Sequence, residues 1–598
     1  MPESNNKIGV SRRVARLAGA AAVALLVVAC GGGGSGGGTV IAPPPPPPPP
    51  PVAKAEAYRF LNQATFGATE AEAQRLIGIG DSSNAYGRWI DAEIAKPAST
   101  LRPYVETAYT TLSAGANFNL VQLNAPRVEK WFENALVGED QLRQRVAFAL
   151  SQIMVVSQVG ALQNLGFATA DFYDMLARNA FGNFRVLLED VTLHPAMGVY
   201  LSMLGNQRAV AGTNLRPDEN YARELMQLFA IGLVELNLDG TPRLDAANQP
   251  IPTYDQAVIE GFARVFTGWK WACPSTNANC TFANVRPQTA PVAGYNQVLP
   301  MRLYPEQHEP GSKQLLNYPG VTLANGLLPA GQTGAQDLAA ALDNIFNHPN
   351  VAPFISKQLI QKLVTSNPSP AYVRRVAERF NNDGSGRRGN LEAVVRAILL
   401  DTEARSAPTG ANAGKVKEPL LRLTQFWRAY GARAASGRYA VQAGNFPGGV
   451  STIFGQGPGQ SPSVFNFFSP FYAPPGEIAN GNLVAPELQL ATEFLNTQVT
   501  NFFWTQALFR TTAQTNLGAD IMFIDTTAEQ GLVADSAALL DRVAEKLLGG
   551  ASQMSTTLRT EARAQIDRTA AGTTAGNNTR VADAIYFVVT SPEFVLQR

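Results

Sequence analysis

Cysteine and histidine are almost missing: three of each occur in 598 residues. That scarcity excludes a small disulfide-framed scaffold and any Cys- or His-rich metal module. No H-E-x-x-H helix, C-x-x-C pair, P-loop or nucleophile elbow is present, so the chemistries those motifs carry have no support. Charge is sparse too, at 16% of residues where roughly a quarter is usual. With 48 basic against 47 acidic residues there is no field of one sign. No basic run is interleaved with aromatics, and nucleic acid is set aside as a partner. Alternating strand patterns are rare, and one apolar run stands out.

That run closes the first thirty residues. Lys7, Arg12, Arg13 and Arg16 precede LAGAAAVALLVVAC, the pattern of an export signal whose apolar part is short for a bilayer span. Val27, Val28, Ala29 and Cys30 resemble a lipobox. Residues 1–30 are therefore expected to be a lipoprotein-type signal peptide, with Cys30 lipidated as the first mature residue. Residues 31–52 hold GGGGSGGG and the prolines up to Pro51, a flexible tether followed by a stiff spacer. Gly31 stands where Asp would suggest inner-membrane retention. The expectation is an exported protein anchored to a membrane by lipid, at the outer membrane or cell surface. Cys273 and Cys280 then remain as neighbours in an oxidising compartment and are expected to form a disulfide.

From residue 53 to 598 apolar residues recur at helical spacing, as in WFENALVGEDQLRQRVAFALSQIMVV and YDQAVIEGFARVFTGW. The fold class is mainly α: a large multi-helix globular body with long irregular loops and at most a few short strands or hairpins. LNLDGTPRLDAANQPIPTY has the turn chemistry of a hairpin between two helices. Residues 272–334 are loop-rich and divide the body into candidate subdomains 53–271 and 335–598. HPAMGVYLS at 194–202 and HPNVAPFIS at 348–356 echo each other, and read as two similar helix starts with proline in the first turn.

The stretch PDENYARELMQLFAIG at 217–232 crowds Asn220, Arg223, Glu224 and Gln227 along one side of an α-helical wheel. Glu219 stands four residues before Arg223, the spacing of a helix-stabilising ion pair. Two readings stay open: ordinary helix physics, or a polar cleft with Asn220, Arg223 and Glu224 as catalytic candidates. His308, beside Glu306, Glu309 and Lys313 in EQHEPGSK, is the fourth candidate. His194, His308 and His348 would suit a divalent metal if they converged. Asn381, Asp383, Ser385 and Glu392 fall at the spacing of an EF-hand-like loop, although Arg387 and Arg388 would repel a cation. Trp269 and Trp271, with Phe465, Phe467, Phe468, Phe471 and Tyr472, could line an apolar or glycan-binding groove, or pack into the core.

Taken together, AYRFLNQATFGAT, YDMLARNAFGNFRVLLEDVTLHPAMGVYLS, PDENYARELMQLFAIGL, VIEGFARVFTGW, HEPGSK, HPNVAPFISKQLIQKLVTSNPSPAYV and GQSPSVFNFF resemble the bacterial family called domain of unknown function 1800. The resemblance covers nearly all of the mature chain. It implies a secreted or surface-associated helical protein, often encoded beside a second family that looks like sulfatases and phosphatases. Many members carry a histidine-containing segment where this chain has RVAFALSQIMVVS at 145–157, so any role of that histidine is absent here. The family implies no established reaction. The expected function is that of an envelope lipoprotein that binds or assembles with a partner. The rival expectation is a metal-assisted hydrolase of an envelope or extracellular polymer, with His194, His308, His348 and Glu224 as ligands or acid-base groups.

Overall fold

Helices form where the apolar spacing predicts them, and polar caps set many of their starts. Asp255 accepts from the Val258 N–H ahead of Gln256–Val265, Thr333 and Gln336 make a capping box for Gly334–Phe346, and Ser369 caps Pro370–Asn381. The two echoed segments also share one device. His194 Nδ1 accepts from the Ala196 N–H and His348 Nδ1 from the Asn350 N–H, each at 3.1 Å, where Pro195–Tyr200 and Val351–Leu363 begin. Each imidazole thus satisfies one of the orphan donors at a helix start.

The computed structural model describes residues 48–274, 279–292, 294–406, 410, 414–441, 445–446 and 448–598. The expected signal, Cys30 and nearly all of the Gly- and Pro-rich segment lie outside them. Residues Pro49–Arg598 make one compact unit. Among the described residues it contains 25 α-helices and three antiparallel pairs of two-residue strands, so the chain is mainly α. No helix among them is long and apolar enough to cross a membrane. Cys273 and Cys280 are joined by a disulfide.

The helix Val351–Leu363 packs on Gln141–Ser151 and Pro370–Asn381. Its apolar side buries Val351, Ile355 and Leu359 completely. Its last turn is also buried, which leaves carbonyls that the helix itself cannot satisfy. Side chains from far along the sequence supply the donors. Lys415 Nζ reaches the carbonyls of Gln361 and Lys362 at 2.8 and 3.1 Å, and Arg145 reaches Lys362 at 2.6 Å. Gln597 reaches Leu363 and Val364 at 2.8 and 3.0 Å. Gln597 is held in place because Leu596–Gln597 pairs with Lys415–Val416. The chain end is thereby stitched to the middle of the body.

The expected hairpin is a meander of three short segments. Glu235 N–H donates to Ile251, Asn237 N–H to Thr241, and Asp245 N–H to Gln249. Turns at 237–241 and 245–249 fold it back twice. Asn350 pins its base, accepting from the Leu236 N–H and donating to the carbonyls of Ile231 and Val234.

Candidate functional site

Residues at 354, 357, 358, 361 and 362 follow the three-four spacing of a core-facing stripe, but here they are Phe354, Lys357, Gln358, Gln361 and Lys362. A stripe of this polarity does not pack against an apolar partner. It faces a cavity of about 480 Å³, within the size range of small-molecule sites. Leu233, Leu236 and Pro242 of the meander make one wall, and Phe465, Phe468 and Phe471 make another. Gly232 closes a corner. Its backbone has φ +74°, and an added Cβ would lie 2.7 Å from the Phe354 ring, so both conformation and space call for glycine. Asn466 takes the left-handed conformation at φ 67°, which asparagine tolerates better than most residues. This bend leaves Phe465 exposed and Phe468 buried.

Beneath the cavity lies a network of buried charge. Lys362 Nζ donates to Gln152 Oε1 at 2.9 Å and sits 4.1 Å from the centre of the Phe468 ring. Asn466 also donates to Gln152 Oε1, at 3.2 Å. Gln152 and Gln456 donate to Glu418 Oε2 at 2.9 and 2.6 Å. Lys415 Nζ lies 3.0 Å from Glu487 Oε1 and 3.8 Å from Glu418 Oε1. Burial pushes the Glu418 carboxyl up, but Lys415, Lys362 and Arg145 outweigh it and hold the group below the usual carboxylate range. Lys362 is pushed down to about 8, chiefly by burial. Burial also lowers Lys357, which makes no hydrogen bond or ion pair among the described residues. Among the described residues no aspartate or glutamate lines the cavity.

The family model described as Protein of unknown function (DUF1800) matches residues 59–596. The chain belongs to this family. No curated protein and no solved structure matches the chain. Several segments that carry the family resemblance meet at the cavity: Gln227 and Leu228 come from PDENYARELMQLFAIGL, the polar stripe from HPNVAPFISKQLIQKL, and Phe465, Asn466 and Phe468 from GQSPSVFNFF. RVAFALSQIMVVS places Arg145 and Gln152 in the network.

The residues singled out in the sequence are distributed differently. His194 Nε2 lies 3.3 Å from Asp171 Oδ2. Since its Nδ1 accepts from a backbone N–H, Nε2 carries the proton in that contact. His348 stacks edge-on against Tyr318 and is pushed down to about 4 by burial, with Arg388 beside it. A neutral ring suits its accepting role at the helix start. His308 is buried with Nδ1 3.0 Å from the Thr267 carbonyl and Nε2 2.9 Å from Asp337 Oδ2, while Lys313 Nζ reaches the same oxygen at 2.6 Å. Burial pushes the Asp337 carboxyl up, but these two partners prevail and hold it low. The three histidines share no partner. Among the described residues no three His, Cys, Asp or Glu side chains gather to hold a metal ion, so the three-histidine set is not assembled.

The EF-hand-like spacing has a local explanation. Asp383 Oδ1 accepts from the Ser385 N–H and hydroxyl, and its Oδ2 accepts from Asn390 and Arg387. Asn381 accepts from Arg388, and Glu392 pairs with Arg396 at 2.9 Å. The side-chain oxygens of these residues are engaged by groups of the turn itself and of the helix Leu391–Leu400 that follows it, as in an ordinary helix-helix turn.

PDENYARELMQLFAIG is not one regular helix. Asn220–Glu224 is α-helical and Leu225–Ala230 is π-helical, so an α-wheel misplaces residues beyond the junction. Asn220 is exposed, and Arg223 pairs with Glu219 at 3.0 Å as its spacing predicts. Glu224 alone is buried, and its Oε2 has no hydrogen-bond partner. Burial raises its pKa, opposed by Arg223. Of the two open readings, Asn220 and Arg223 follow ordinary helix physics and only Glu224 is enclosed; among the described residues no hydrogen bond or ion pair joins His308 to Asn220, Arg223 or Glu224. Trp269 and Trp271 are core residues, whereas Phe465, Phe468 and Phe471 do line the groove.

Proposed function

We propose that this protein is an envelope lipoprotein, exported by its first 30 residues, tethered through Cys30, and built to bind a small apolar ligand in the cavity beside Val351–Leu363. One observation carries the binding reading: an apolar-walled cavity of about 480 Å³ is faced by a polar stripe where a helix of this kind would present core residues. The glycine and proline tether suits a body held away from a lipid surface at an outer membrane or cell surface. A binding or assembly role beside a co-encoded sulfatase-like or phosphatase-like protein fits the resemblance, and co-purification tests it.

Two experiments test the core of the reading. Membrane fractionation of the Cys30→Ser protein is expected to move the chain from the membrane to the soluble fraction; unchanged processing and membrane association overturn the lipoprotein assignment. The purified chain is expected to bind Nile red with an increase in fluorescence. Leu236→Trp, which fills the cavity from the meander wall, is expected to abolish that signal. Nile red fluorescence unaffected by this substitution refutes the cavity as the binding site.

A further inference from the structure

Charge in the network beneath the cavity does not balance. Arg145, Lys362 and Lys415 bring three cations, while Glu418 and Glu487 bring two carboxylates. Arg145 and Lys415 both donate to carbonyls at the end of Val351–Leu363, whose partial negative charge offsets part of theirs. Lys415 also pairs with Glu487. Lys362 has neither benefit: its direct partners are the neutral Gln152 amide and the Phe468 ring, and it lines the cavity. Lys357 lines the same cavity without a partner. Gln358 Nε2, also on this stripe, has no hydrogen-bond acceptor. Buried cations ordinarily have a counter-charge, and buried donors an acceptor.

We infer that the ligand of this cavity is an amphiphilic carboxylate, whose apolar body fills the space between the meander and the phenylalanine loop and whose head group sits on Lys362, with Lys357 and Gln358 as further donors. This inference rests on the apolar-cavity reading above and adds the head-group chemistry. A single negative charge brings the network to three cations and three anions. The walls supply no acid to repel it, and the Phe468 ring holds Lys362 at the cavity edge. Charge-assisted hydrogen bonds of this kind supply specificity that apolar walls cannot.

The test is competition against bound Nile red by decanoate, decanol and decylamine, which share one chain and differ in head group. Decanoate is expected to displace the dye at about tenfold lower concentration than decanol, and decylamine to compete worst. Lys362→Met is expected to remove the difference between decanoate and decanol, each measured against the dye affinity of that variant. Lys357→Met, at a half-buried position, is expected to reduce it and guards against misfolding of the first variant. The charged groups facing Lys362 are Arg145, Lys415, Glu418 and Glu487, and burial lowers Lys362 itself to about 8, so the preference is expected to fade as pH rises past about 8. Equal competition by decanoate and decanol in the presence of bound dye overturns the anion assignment and leaves the apolar cavity standing. A preference that survives both lysine substitutions and the pH change also overturns it. Failure of the dye and of all three competitors to bind overturns the cavity reading itself.

Discussion

The cluster of His308, Asp337 and Lys313 and the cluster of Arg145, Lys362, Lys415, Glu418 and Glu487 use similar parts, buried lysines held by buried carboxylates and neutral or basic neighbours, yet they face different things. Asp337 is fully enclosed, and its partners tie the 305–313 loop to the helix Gly334–Phe346. Lys362, by contrast, lies on the wall of a cavity. Closure makes the first cluster a structural pin. The open side makes the second a site, because a ligand can supply what the protein leaves out. Histidine in a shared motif drew attention to the first cluster, and the less conspicuous glutamines and lysines make the second.

The comparison can be broken from either end. The largest effect is expected for Asp337→Asn, which strips the buried Lys313 of its counter-charge and weakens the contact with His308, and costs about 3–5 kcal/mol in chemical denaturation. Glu418→Gln leaves Glu487 in place beside a cavity that can admit water, and is expected to cost about 2 kcal/mol. Equal losses for the two would erase the distinction between sealed and open clusters. Glu224→Gln replaces a lone buried carboxyl whose ionised form burial disfavours, and is expected to stabilise the fold by up to about 1 kcal/mol at neutral pH. The gain should shrink on acidification, since a carboxyl with a raised folded pKa costs stability only while the unfolded chain is ionised. The smallest change is expected for Lys362→Met, within about 1 kcal/mol of the parent, because it leaves two cations and two carboxylates.

The pH dependence of stability separates the same groups. Asp337 and Glu418 have folded pKa values below the ordinary carboxylate range. Their contribution is present above the unfolded value and is lost as pH falls through the folded one. Lys362 also has a lowered folded pKa, but as a base: its burial cost is full below about 8 and is relieved as pH rises toward the ordinary lysine value. Denaturation curves across this alkaline range should show a gain in the parent protein that Lys362→Met lacks.

Much of the fold was legible because its causes are local. Thr333 and Gln336 announce a helix start, as do the His-Pro pairs at 194 and 348, and the turn residues of LNLDGTPRLDAANQPIPTY announce a chain reversal, read as one hairpin where the fold makes two turns. The Glu219–Arg223 pair was legible for the same reason. The buried state of Glu224 was not, since a π-helical turn follows it and the wheel assumes a constant rotation per residue. The cavity stripe had a readable signal in FISKQLIQKL, polar residues at the spacing of a buried face. The sequence alone could not say whether that face met solvent or a void.

By itself the sequence determined the helical class, the helix starts, the meander turns and the close pairing of Cys273 with Cys280, all settled by contacts between residues near one another in the chain. Tertiary structure alone decided that Arg145, Lys415 and Gln597 would meet the end of Val351–Leu363, that the three histidines would go to separate places, and that Lys362 would border a cavity. Those outcomes depend on which distant segments share a buried space, where a charge must find its partner across the fold because water is no longer there to supply one.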